Sequence, residues 1–299
     1  MVKVAILRRE ELLRKIFAIA ALSFFFLVYF TQDSFGLMRA LWAGASGMRA
    51  EQLNMDVTAH NLANVNTTGY KKSRADFQTL VYQTLKQPGT PAAQGAQIPT
   101  GIQVGIGTRV AAIQKIHAPG PLSETGNKLD VAIANGDGFW QILLPDGSMG
   151  YTRDGTFKKS ADGKLVMSDG YILQPEIAIP EDAVDITITE IGTVVVMLAG
   201  QMEPAEIGSM ELVKFVNPAG LSSIGRNLYV ETAASGAPYT GQPGSEGFGQ
   251  IAQGVLEMSN VQVVDEMVNM ITLQRAYELN SKCIQTSDQM LGIASGLKR

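Results

Sequence analysis

Residues 38–69 read MRALWAGASGMRAEQLNMDVTAHNLANVNTTG, an amphipathic helix that runs into a dense polar stop. From Met38, the positions Leu41, Ala45, Met48, Met55, Ala59 and Leu62 fall on one stripe. Their spacing alternates four and three, with Gln52 as the polar exception. Alanine and methionine on that stripe let a neighbouring helix approach closely and let its packing adapt. The helix is expected to end near Asn61–Asn66. Asn61, Asn64, Asn66 and Thr67 compete for backbone hydrogen bonds, and Gly69 tolerates a left-handed conformation.

Helical spacing returns at the other end of the chain. Ser259-x-x-Gln262 fits a capping box. Val264, Met267, Val268 and Ile271 then form an apolar face, which turns smaller and more polar beyond Gln274 and continues at Ile284 and Leu291. Gly292 or Gly296 can end the helix, with Lys298 and Arg299 near the negative end of its dipole.

Between the helices the pattern is β. Asp-Gly pairs stand at 137–138, 146–147, 154–155, 162–163 and 169–170. Asp-Gly suits two-residue hairpin turns, whose two central residues both take positive φ. Short β-prone segments lie between the pairs: 129–134, 139–144, 151–153, 165–167 and 171–173. The pattern continues through 185–196 and 211–216, and a glycine-rich return at 235–249 closes it. Residues 86–108, rich in Pro, Gly, Gln and Ala, read as an extended or irregular connector. Gly105-x-Gly107 and Gly136-x-Gly138 lack the third glycine and the βαβ setting of a dinucleotide fingerprint, and are assigned to turns.

The expected fold is therefore α+β: paired long N- and C-terminal helices, coiled-coil-like, bracketing an antiparallel all-β central domain. The expected divisions are 38–70 and 256–299 for the helices, 71–115 for the connector and 116–255 for the β domain. Two helices at opposite ends of a sheet do not share its core. Each apolar face needs the other chain end or a neighbouring subunit to cover it. That predicts an assembly component rather than an enzyme.

Composition narrows the chemistry. A net charge of −4 gives no basic field for nucleic acid. The single Cys283 excludes an intrachain disulfide and a cysteine-based zinc cluster. It reads as a packing residue. His60 and His117 lack metal-ligand spacing, so no metal, cofactor or catalytic residue is assigned. Asp130, Asp137 and Asp154 could be paired carboxylates, but their places beside glycines and strand starts suit turn chemistry. Asn66-Thr67-Thr68 matches a glycosylation acceptor, and in this stop the turn reading is favoured. Lys71, Lys72 and Arg74 read as a solvated or subunit-facing patch.

Residues 1–37 differ from the rest. Residues 3–15 carry five Lys/Arg and two Glu, and Ile16–Phe30 is an apolar run of 15 residues. That is short of the roughly 20 residues a spanning helix needs. A signal segment, an anchor and a true start at Met38 are the three readings.

Three motifs resemble one family. Leu41-Trp42-x-Gly44-Ala45-Ser46-Gly47-Met48, followed by Asn61-Leu62-Ala63-Asn64-Val65-Asn66-Thr67-Thr68-Gly69-Tyr70-Lys71, resembles the N-terminal signature of bacterial flagellar rod and hook proteins. Leu129-Asp130-Val131-Ala132-Ile133 leading to Gly138-Phe139-Trp140 resembles the start of their β domain. Gly254-Val255-Leu256-Glu257-x-Ser259-Asn260-Val261, leading to Met270-Ile271-x-Leu273-Gln274-Arg275-Ala276-Tyr277-Glu278, resembles their C-terminal helix. The length of residues 38–299 and the stretch from Gly101 to Pro121 suit the distal-rod branch.

The resemblance implies an axial subunit of the basal body that stacks helically with its own copies into a hollow, torque-carrying rod in the periplasm. It implies other rod and hook proteins, surrounding ring proteins and the type III export apparatus as partners. Members of the family begin near the equivalent of Met38, which favours the start at Met38. The competing reading is an exported β-domain enzyme or glycan-binding protein, held at the membrane by residues 16–30 and acting at the cell wall.

Overall fold

Three of the five Asp-Gly pairs build the hairpins of the largest sheet. The computed structural model describes residues 38–296, apart from 90, 94, 95, 98, 201 and 202. The readings of residues 1–37, Lys298 and Arg299 lie outside the described residues. Gly147, Gly163 and Gly170 have φ of 81°, 79° and 86°. Each donates its N–H to a carbonyl three residues back, on Leu144, Ser160 and Met167. The aspartates before them are not left-handed: among the described residues, Asn135, Arg226 and Asn227 are the non-glycines with positive φ. The turns are three-residue loops closed by a left-handed glycine, which corrects the two-residue expectation. A Cβ makes the left-handed state costly, and this loop confines it to glycine.

These hairpins give a seven-stranded antiparallel sheet in the order Phe157–Lys159, Leu165–Met167, Ile172–Gln174, Trp140–Leu143, Met149–Thr152, Leu228–Val230 and Ser222–Gly225. Ala183–Ile188, Thr193–Leu198 and Ala205–Ser209 form a three-stranded antiparallel sheet. The two sheets share a core in which Trp140, Ile142, Phe157 and Leu173 meet Val194, Val196 and Ile188. Trp140 is fully buried and meets the Phe157 ring edge-on at 5.6 Å. The alternate positions face away from that core. There Phe139, Tyr151, Val213, Phe215 and Tyr229 form a second apolar cluster.

Within 71–115, described residues form paired strands rather than an irregular connector. Tyr82–Lys86 pairs with Ile102–Gly105, and Ser73–Thr79 with Thr108–Lys115. The Thr, Val and Ile content of these segments suits strands.

Helix α1 covers residues 38–63, and helix α2 covers Val263–Gly296. At 34 residues, α2 is about 50 Å long. It starts later than the Ser259 capping box predicts. Val255–Glu257 is still a strand, paired with Leu122–Glu124, and the Ser259 hydroxyl accepts from Val261 N–H at 3.3 Å. Asn260 is the physical reason for the delay. Its amide donates to the carbonyls of Ile116 at 2.8 Å and Ala118 at 3.1 Å, and its oxygen accepts from Lys72 N–H at 2.8 Å. Those bonds hold the chain out of helix.

The described residues divide into two units. One holds 38–53, 77–111 and 272–296; the other, containing both sheets, holds Asn54–Asp76 and Ala112–Ile271. Among the described residues no helix is long and apolar enough to cross a membrane.

Candidate assembly surfaces and the helix junction

The helix stop is built as a latch. Asn61 is buried; its amide donates to Ser73 O at 2.9 Å, and its oxygen accepts from Ser73 N–H at 2.9 Å and from the Tyr70 hydroxyl at 3.1 Å. One side chain thus mimics a strand partner for residue 73. Asn64 donates to His60 O at 2.9 Å and accepts from the Thr67 hydroxyl at 3.3 Å. Gly69 is left-handed, with φ 66°, and a Cβ there would lie 2.6 Å from Asp154 N. Asn66 is exposed.

The stop leads into a buried charge cluster that the sequence did not reveal. Lys71 is fully buried, which corrects its reading as a solvated residue. Its ammonium donates to Glu257 at 2.5 Å and to Ala118 O at 2.8 Å. Arg153, also buried, meets the other Glu257 oxygen at 3.3 Å and stacks over Phe139 at 5.5 Å. Gly120 N–H donates to Glu257 at 2.8 Å, and Gly69 N–H donates to the Glu257 carbonyl at 2.8 Å. Lys71 and Glu257 are 186 positions apart, one in each terminal motif. Burial pushes the Lys71 ammonium below its ordinary pKa, and Glu257 works against that shift. Arg74, by contrast, is exposed and pairs with Asp76 at 3.1 Å.

Of the three aspartates weighed as paired carboxylates, Asp130 and Asp154 bind neighbouring side chains. Asp130 accepts from the Thr125 hydroxyl at 2.6 Å and from Asn127 at 3.0 Å. Asp154 accepts from the hydroxyls of Thr68 and Thr156, each at 3.0 Å. Asp137 stands in solvent 4.0 Å from Arg153.

His117 gives the domain a pH dependence. Its Nδ1 is buried with no hydrogen-bond partner among the described residues, and its ring lies 5.5 Å from Phe139 and 5.6 Å from Tyr229. Burial first, then the charges of Lys71, Arg153 and Lys115, depress its pKa to about 4. The unfolded chain takes the proton near the ordinary 6.5, before the folded chain does. The stability this histidine contributes is therefore complete above pH 6.5 and falls as the pH drops toward 4, by about 3 kcal/mol in all. Asp154, raised by burial, acts in the opposite direction as its carboxylate protonates. Urea midpoints measured from pH 7 to pH 4 are expected to fall steeply for the native chain and less for His117→Leu. Equal slopes contradict this reading of His117.

The helices turn different faces inward and outward. In the first unit Gly44 and Gly47 of α1 meet α2: a Cβ at either glycine would lie 3.0 Å from Ile284 or Asn280, respectively. Along α2, Glu266 and Ser287 are buried, and Met270, Leu273, Ala276, Asn280, Ser281, Ile284 and Leu291 are half-buried. Apart from Ser281 they recur every three or four residues, polar members included. The predicted α2 face lies elsewhere: Val264 is 73% exposed, Met267 52%, Val268 53% and Ile271 57%. On α1, Leu41, Met48, Met55 and Leu62 are half-buried and Ala45 is exposed. Trp42 is 66% exposed. Cys283 is exposed and unpaired in a disulfide.

A terminal helix whose apolar face is more than half exposed marks a candidate interaction surface. The comparisons with known proteins give the chain a family. Three family models match in chain order. They are the flagella basal body rod protein model at residues 41–71, the flagellar hook protein FlgE/F/G D1 domain at 132–196, and the flagellar basal body rod FlgEFG protein C-terminal model at 252–297. The flagellar basal-body rod protein FlgG of Borreliella burgdorferi is 56% identical over 265 residues, covering 88% of this chain and 100% of the relative. That of Caulobacter vibrioides is 47% identical over 262 residues, with 87% and 100% covered. That of Bacillus subtilis is 41% identical over 270 residues, with 88% and 100% covered. The chain belongs to the flagellar basal-body rod protein family, a family of structural proteins rather than enzymes. The competing reading, a cell-wall enzyme or glycan-binding protein, finds no support in it.

Proposed function

We propose that this chain is an axial subunit of the flagellar basal-body rod, of the distal kind, which polymerises helically with its own copies into a hollow, torque-carrying shaft in the periplasm. The observation that carries the reading is the α2 face Val264, Met267, Val268 and Ile271, apolar and more than half exposed at every position. Burying such side chains yields about 1.5–3 kcal/mol each. A repeated heterologous contact that does not close on itself gives an open helical filament.

In this reading α1 and α2 pair as a coiled-coil-like inner layer, and residues 116–255 form the outer one. Leu41, Ala45, Met48, Met55 and Leu62 join the α2 face at helix contacts, and residues 71–115 connect the layers. Other rod and hook proteins are its axial neighbours, ring proteins surround it, and the flagellar export apparatus delivers it.

Truncation after Gln262 tests the proposal. It keeps both sheets and removes all of α2, the exposed face with it. The shortened chain is expected to stay folded and soluble, to form no filaments and to leave a strain lacking the native protein non-motile. Filaments from the shortened chain overturn the proposal.

A further inference from the structure

We propose that Glu257 is the positioning residue of the helix junction, a buried carboxylate that holds the segments entering and leaving the β-rich unit in a fixed register. Its functional consequence rests on the rod reading above.

Three observations carry it. The side chains of Lys71 and Arg153 are at most 1% exposed, and Glu257 is equally buried between them. Two buried cations therefore share one buried carboxylate. Asp137 is the next acid, but it is 4.0 Å from Arg153 and 62% exposed, so water screens it. Glu257 also binds backbone on both sides of the junction: its carboxylate accepts from Gly120 N–H, and its carbonyl accepts from Gly69 N–H. Finally, Gly69 and Lys71 lie where the chain leaves the stop after α1, and Glu257 itself ends the strand that precedes α2, Val255–Glu257.

The unequal count of charges gives the junction a signature that an ordinary ion pair lacks. Removing the carboxylate leaves two buried cations facing each other. Removing the Lys71 ammonium leaves a neutral Arg153–Glu257 pair. A simple pair loses equally from either side.

Amide hydrogen exchange on the full-length chain reads this directly. In E257Q the amides of Gly69, Lys72 and Gly120 are expected to exchange about 100-fold faster, while the strand Trp140–Leu143 keeps its protection. In K71M the same three amides are expected to change by less than about tenfold. The charge swap K71E/E257K is expected to fail, because it sets an ammonium against Arg153. Equal effects of E257Q and K71M, or recovery by the swap, overturn the proposal.

Should E257Q yield no folded chain, E257D decides. A folded E257D chain with faster exchange at Gly120 upholds the carboxylate's role, and one as unfolded as E257Q overturns it. Swimming of a deletion strain is assayed in parallel, with E257Q expected to restore little of it. Failure of the native chain to restore swimming rejects the rod reading and leaves the exchange result standing.

Discussion

Glutamate at both Val264 and Val268 is expected to abolish filament assembly and leave the subunit folded. In the single chain these residues are 73% and 53% exposed. Substitution at such positions shifts stability by about 0.5 kcal/mol or less, and glutamate is the better helix former. At a subunit contact the same changes act differently. Each forfeits about 1 kcal/mol of the valine burial still to be gained and asks a carboxylate to leave water, which costs at least about 1 kcal/mol more. Together the two sites cost at least about 3 kcal/mol per contact, on the order of 100-fold in association. Circular dichroism of the variant should match the native chain, while sedimentation of polymer and swimming should both be lost. Native-level polymer from the double variant contradicts the assignment of this face to subunit contacts.

Gly155→Ala is expected to be the most damaging single methyl group in the β-rich unit. A Cβ there would stand 1.6 Å from Val131 O, a backbone atom. Neither backbone segment can give way easily. Gly155 O accepts from Val131 N–H at 3.1 Å, and Val131 lies in the shared core. A clash that must break that bond and displace a core residue belongs to the rare class costing more than about 4 kcal/mol. Gly170→Ala is the internal control. Gly170 is left-handed at φ 86°, with nothing within 4 Å of an added Cβ. It should cost only the left-handed penalty, about 1–2 kcal/mol. Denaturant midpoints of the two variants measure the difference. Equal midpoints contradict the close approach at residue 155.

Local features were the most legible in the sequence. The strands around the Asp-Gly pairs were readable because alternation and turn chemistry operate over a few residues. Even there the loop type was misread, since the pair alone does not say which residue carries the positive φ. The stop at Asn61–Gly69 was legible for the same reason. Its partner was not: Ser73 lies 12 residues from Asn61, and the bonds depend on how the chain turns back.

The α2 face was found by hydrophobicity, which selected the outward side. The sheltered side carries Asn280 and Ser287, so its four-three spacing was the signal, and polarity hid it. Gly44 and Gly47 stood in the quoted motif, but only the structure shows the side chains they admit. The Lys71–Glu257–Arg153 cluster was beyond local reading altogether. A lysine beside Lys72 and close to Arg74 looks solvated until a carboxylate from the far end of the chain meets it. The two end motifs that carried the family resemblance face each other across this junction. Their residues serve entry to and exit from the β-rich unit as well as helix formation.

The most direct test uses a side chain already in place. Met267 is 52% exposed in the single chain, and Met210 is fully buried. Peroxide footprinting with mass spectrometry compares the monomer with assembled rods. If neighbouring copies cover the α2 face, Met267 oxidises readily in the monomer and is protected about tenfold or more in the rod, while Met210 stays unreactive in both. Oxidation of Met267 at the same rate in monomer and rod would contradict the account.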